Sequence, residues 1–185
     1  MENKTLIIGI AAFLVGVVLG YVLAPQMPGR GYMMRGAAQS IDAHFIEQMI
    51  PHHEGAVAMA SMALERSTDP RIQALAQEIV EAQTEEIGKM QRWYEDWYGR
   101  APVESMGHGG MHMQGMEGDL AALNRAADFD QEFLRQMIVH HEAAVMMAQM
   151  LESGTARQEM RELAGEIIAS QTREIGQMRD WLADQ

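Results

Sequence analysis

The nine residues His52-His53-Glu54-Gly55-Ala56-Val57-Ala58-Met59-Ala60 return 88 positions later as His140-His141-Glu142-Ala143-Ala144-Val145-Met146-Met147-Ala148. A chain with such a repeat must build one supersecondary unit twice and cover one copy with the other. The correspondence extends on both sides at the same offset and without a gap. Asp42, Phe45, Met49 and Ile50 recur as Asp130, Phe133, Met137 and Ile138. Leu75, Ile79, Gln83, Glu86, Met90 and Trp93 recur as Leu163, Ile167, Gln171, Glu174, Met178 and Trp181.

Each copy has the period of two helices. At about 100° per residue, Phe45, Met49, His52, Ala56, Met59, Ala60 and Ala63 gather on one arc, with Glu47, Glu54 and Ser61 on the other side. This places His52 on the apolar face and His53 at its flank. Pro51 interrupts the hydrogen-bond ladder, so the first helix is expected either to kink there or to begin there. Val139 fills the matching place in the second copy, where a continuous path is open.

Ser67-Thr68-Asp69-Pro70 supplies a stop and a new N-cap, with proline near the first helical position. The following helix puts Ile72, Leu75, Ala76, Ile79, Met90, Trp93 and Trp97 on one stripe, with Gln83 and Glu86 in its middle. A polar pair inside an apolar stripe is unfavourable unless hydrogen-bonded or bound. The histidines of the preceding helix are its partners within reach. Ser153-Gly154-Thr155 divides the second copy, and Thr155 with Gln158 has capping-box spacing. Two hairpins of this kind, residues 41–98 and 119–185, are expected to bury their apolar faces as an antiparallel four-helix bundle.

The segments outside the hairpins are of different kinds. Leu6 to Ala24 is a 19-residue run without a charge, long enough to span a bilayer, and Pro25 directly after it disfavours cleavage. Residues 1–24 are therefore read as an uncleaved membrane anchor and residues 25–40 as a tether. Residues 99–118 form a Gly-rich linker without periodicity that carries Met106, His108, Met111, His112, Met113 and Met116.

Eighteen methionines and no cysteine exclude thiolate sites and disulfides, and leave imidazole nitrogen and thioether sulfur as the soft donors. That set suits copper, Cu(I) above all, with Cu(II) or Ag(I) as further candidates. The net charge of −12 argues against nucleic acid as a partner. The candidate ligands are His52, His53, His140 and His141, then Met59 and Met147 two turns along the same face, then His108, Met111, His112, Met113 and Met116 of the linker. Gln83, Glu86, Gln171 and Glu174 are candidates to fix the imidazole tautomers, or to be ligands themselves. Met49 and Met137 stand at core spacing, where filling space is the default use of methionine.

The phrase Met-Ile-Pro-His-His-Glu-Gly-Ala-Val-Ala-Met-Ala, followed by Leu-Ala-Gln-Glu-Ile-Val-Glu-Ala-Gln-Thr-Glu-Glu-Ile-Gly-Lys-Met, resembles the family called domain of unknown function 305 over residues 42–97 and 130–181. The resemblance implies a ferritin-like four-helix bundle. It also implies a secreted or membrane-anchored bacterial protein, periplasmic or extracellular, that binds copper through His and Met and is linked to copper tolerance. A copper exporter or another copper protein is the expected exchange partner. The expected class is a binding protein and not an enzyme. The rival enzyme is a redox metal oxidase using His52, His140, Glu86 and Glu174, but the Glu-x-x-His pattern of dimetal carboxylate bundles is absent. The remaining alternative is a metal-free structural or chaperone-like bundle.

Overall fold

Among the described residues, five helices follow one another: α1 (Arg30–Arg66), α2 (Pro70–Tyr98), α3 (Leu120–Arg125), α4 (Phe129–Gly154) and α5 (Gln158–Ala183). They belong to a computed structural model that describes residues 30–102 and 118–184. Residues 36–185 make one compact unit, and the described residues before them, 30–35, belong to another. The predicted anchor, Leu6–Ala24, lies outside the described residues. No helix among those described is long and apolar enough to cross a membrane.

The helix ends follow from local chemistry. Asp69 caps α2, its carboxylate accepting from the Arg71 N–H at 2.8 Å with Pro70 at the first turn. Asp128 caps α4 in the same way, accepting from the Gln131 N–H at 3.0 Å. The capping box expected between Thr155 and Gln158 does not form. The Thr155 N–H instead closes the end of α4 on the Leu151 carbonyl at 2.8 Å, and its hydroxyl accepts from the Arg157 N–H at 3.1 Å. Arg157 then takes the N-cap place of α5 with no side-chain bond.

Two other expectations change. Helix α1 begins at Arg30 instead of near Ile41, so the second half of the expected tether is helical. It also runs through Pro51 without ending or restarting. Proline there removes only the donor to the Glu47 carbonyl. Position 51 is half-buried and its counterpart Val139 is 49% exposed, so the loss falls toward the outer side of the helix, where a carbonyl can tilt out to solvent.

The core is two clusters that exchange places under the repeat. Phe45, Ile46, Met49, Ile50 and Met90 of the first hairpin pack with Ala144, Ala148, Leu151, Met160, Leu163, Ala164 and Ile167 of the second. Phe133, Leu134, Met137, Ile138 and Met178 pack with Ala56, Ala60, Ala63, Ile72, Leu75, Ala76 and Ile79. Each residue of one set stands at the 88-residue offset from a residue of the other. The hairpins are thus related by a pseudo-twofold axis and bury their stripes against each other as a four-helix bundle. Trp93 and Trp97 are only half-buried, whereas Tyr94, not singled out by the stripe, is fully buried and bonds to Glu47.

The segment after the linker breaks this symmetry. Helix α3 buries Leu123 completely in the second cluster named above. Just before it, Gly118 has φ +77°, and a Cβ there would overlap the Met59 thioether. Gly118→Ala is therefore expected to destabilise the protein by about 1–3 kcal/mol, from αL strain plus displacement of Met59. Gly99→Ala, at φ +68° but facing open space, is expected to lose about 1 kcal/mol. Urea unfolding of the two variants checks the order.

Candidate metal centre

The double-histidine motifs meet at the waist of the bundle, between the two core clusters. His52 on α1 and His140 on α4 lie ring against ring, centroids 3.7 Å apart and tilted by 40°. His140 Nε2 donates to the His52 carbonyl at 2.9 Å. The reciprocal bond is not formed, and both ring nitrogens of His52 are buried without a hydrogen-bond partner.

His53 and His141 are not flank residues. Both are fully buried, more so than His52 at 6% exposed. A helix in a four-helix bundle touches two neighbours, so its buried arc is wide enough for residues about 100° apart. His52 turns to α4, while His53 turns to α2. There Glu86 Oε2 lies 2.7 Å from His53 Nε2, and the second copy repeats the contact between Glu174 Oε2 and His141 Nε2 at 2.7 Å. The carboxylates of the polar stripe therefore hold the second histidine of each pair. Gln83 and Gln171 are buried beside them in sequence, and their Oε1 atoms have no hydrogen-bond partner.

These contacts fix tautomers. A carboxylate or carbonyl oxygen accepts, so Nε2 carries the proton in His53, His140 and His141, and Nδ1 keeps its lone pair. All three Nδ1 atoms are buried without a partner. Buried polar atoms are nearly always paired, so three orphaned acceptors on histidines of one duplicated motif stand out. Burial, reinforced by His140, His53 and His141, pushes His52 down to about 2. Burial, then His141 and His53, push His140 down to about 3, against the opposing effect of its bond to the His52 carbonyl. Both rings stay neutral through the ordinary pH range, so protons compete weakly for their lone pairs.

The remaining candidates are dispersed. Met49, Met59 and Met137 are fully buried among aliphatic neighbours, and Met147 is half-buried against the Phe45 cluster. His108, Met111, His112, Met113 and Met116 lie outside the described residues. Among the described residues, no three His, Asp or Glu side chains converge as a metal-binding group. The histidines come instead in pairs, His52 with His140 ring against ring, and Met59 lies two turns from His52 along the same helix.

Fold and site together define an all-helical protein built from a duplicated hairpin with paired, buried histidines at its centre. The family model described as domain of unknown function (DUF305) matches residues 42–182, and the chain belongs to that family. Among solved structures it is similar to CopM in the Cu(II)-bound form, with 46% identity and a TM-score of 0.73 over 77% of this chain and 96% of that one. CopM in the Cu(I)-bound form matches at 43% identity and a TM-score of 0.71, over the same shares of each chain. CopM in an Ag-bound form matches at 43% and 0.69, over 77% of this chain and 96% of that one. A DUF305 fragment from Deinococcus radiodurans is 30% identical with a TM-score of 0.69, over 78% of this chain and 97% of the fragment. Uncharacterized protein L153 of Acanthamoeba polyphaga mimivirus is 39% identical over 59 residues, so the match spans only 39% of the viral protein and 32% of this chain.

Proposed function

We propose that this chain is a copper-binding protein that captures, buffers or delivers copper outside the cytoplasm and so contributes to copper tolerance. The observation that carries the reading is the waist of the bundle, where His53, His140 and His141 present unpartnered Nδ1 lone pairs and His52 has both nitrogens free of hydrogen bonds. Likeness to CopM, solved with Cu(I), Cu(II) and Ag, supports copper as the cargo and silver as a second ion.

In this reading His52, His53, His140 and His141 hold copper in the bundle, with Glu86 and Glu174 orienting two of the rings. Met59 and Met147 supply sulfur on the same helices. The linker residues His108, Met111, His112, Met113 and Met116 collect the ion and pass it on, and the thioether content favours Cu(I). Residues 1–24 anchor the bundle at the outer face of a membrane, where a copper exporter or another copper protein exchanges ions with it. The activity is binding and not catalysis.

Anaerobic titration of the full chain with Cu(I) tests the class. Tight binding that survives deletion of Ser105–Gly118 is expected. Loss of all binding on that deletion would make the histidines structural, and Fe(II) binding with oxygen consumption would favour the oxidase.

A further inference from the structure

Among the described residues, one half of the seam between α1 and α4 is covered by the segment that follows the linker, and the related half has no equivalent cover. The helices are antiparallel in a register fixed at two places. His140 meets the His52 carbonyl, and fourteen residues further along α4 a Cβ at Gly154 would meet Ile41 Cδ1 at 2.5 Å. On the covered half, Gly118 lies against Met59 and the Asp119 N–H donates to Gln136 Oε1 at 2.7 Å. Arg66 then donates to the Asn124 carbonyl at 2.9 Å. The repeat offset carries Met59, Met62 and Gln136 onto Met147, Met150 and Gln48.

On that related half, Met150 is 64% exposed and Met147 is half-buried, so core filling does not account for Met150. The register sets His44, an exposed residue of α1, level with the last two turns of α4 that carry these methionines. The side-chain nitrogen of Gln48 lies 3.0 Å from His44 Nε2. An amide nitrogen only donates, so His44 Nε2 accepts from Gln48, and it is this lone pair that a cation would take in place of the amide. Met147 and Met150, at i and i+3, share one helix face, and an unbranched thioether side chain is long and flexible enough to reach a ligand beside it. The half-site offers one imidazole nitrogen and two thioether sulfurs.

We propose that His44, Met147 and Met150 form a surface site for a soft monovalent cation, Cu(I) or Ag(I), separate from the buried histidines. The site is the loading point of the half-seam that α3 does not cover. It rests on the copper-binding reading for the identity of the cargo, and the two fail separately.

The test uses the full chain with 13C-labelled methionine methyl groups, titrated with Ag(I) in chloride-free buffer. The Met147 and Met150 methyl signals and the His44 ring signals are expected to move together. The combined variant H44Q/M150L, which alters only exposed side chains, is expected to bind one ion fewer per chain with unchanged helix content. The His52 and His140 ring signals should still respond in that variant. Stationary Met147 and Met150 methyl signals, or an unchanged Ag(I) stoichiometry in the variant, would overturn the site. Stationary His52 and His140 signals with moving Met147 and Met150 signals would instead uphold the surface site and remove the copper role of the core histidines.

Discussion

Glu86→Ala is expected to lower copper affinity about 10–100-fold, because the carboxylate fixes both the tautomer and the orientation of His53. Its Oε2 lies 2.7 Å from Nε2 of a fully buried ring. Without it the Nε2–H is left unsatisfied in the interior, which is also expected to destabilise the metal-free protein by about 1–3 kcal/mol. Glu86→Gln keeps an oxygen acceptor and should recover most of both losses. Glu174→Ala should behave alike, since His141 repeats the contact at the same distance. Competition for Cu(I) against a chromophoric chelator reads the affinity, and urea unfolding reads the stability. Equal affinities for the Ala and Gln variants would show that the carboxylate does not orient the ring.

The metal-free fold is expected to lose stability as pH falls below about 6.5. His52 has a folded value of about 2 and His140 of about 3, both below the ordinary histidine value of 6.5. The unfolded chain therefore binds protons that the folded chain refuses. Acidification pulls toward unfolding from pH 6.5 down to the folded values, and the stability is fully present above 6.5. At one pKa unit per about 1.4 kcal/mol, His52 alone accounts for about 3 kcal/mol by pH 4, and His140 adds a loss of the same sign. Joint replacement of His52 and His140 by Phe should flatten this acid limb. Thermal unfolding of wild type and variant between pH 4 and 7 gives the comparison. An acid limb equally steep in both proteins would place its origin elsewhere.

The repeat made much of this architecture legible. A single offset tied Phe45, Met49 and Met90 to Phe133, Met137 and Met178, and all six fall in the two exchanged core clusters. The misplaced Glu86 correctly pointed to a partner on the preceding helix, whereas Gln83 Oε1 is left without one. Which histidine that partner is was not legible, because a one-helix projection assigns each residue to a single face. A bundle helix has two neighbours, so His52 turns to His140 while His53 turns to Glu86. The contact between His52 and His140 exists only once the two hairpins are assembled on the pseudo-twofold axis.

The symmetry-breaking features also arise from assembly. Helix α3 and Gly118 cover Met59, while the equivalent Met147 keeps its open side. Neither fact has a signature in periodicity, since α3 is six residues long and Gly118 is one of many glycines in a Gly-rich stretch. Of the two outcomes open at Pro51, a new helix start is ruled out by the continuous helix Arg30–Arg66. Sequence shows the missing donor, but not that position 51 lies toward the outer side of the helix.

The central claim is that the paired histidines at the waist hold copper in the bundle. It is tested most directly by the anaerobic Cu(I) stoichiometry of the full chain beside that of the joint variant H52A/H53A/H140A/H141A. The single variant H52A serves as a check that the helical fold is kept. The joint variant is expected to lose the bundle copper and keep only the ions bound by linker and surface methionines, with H52A already weakened. Wild-type stoichiometry and affinity in both variants would contradict it.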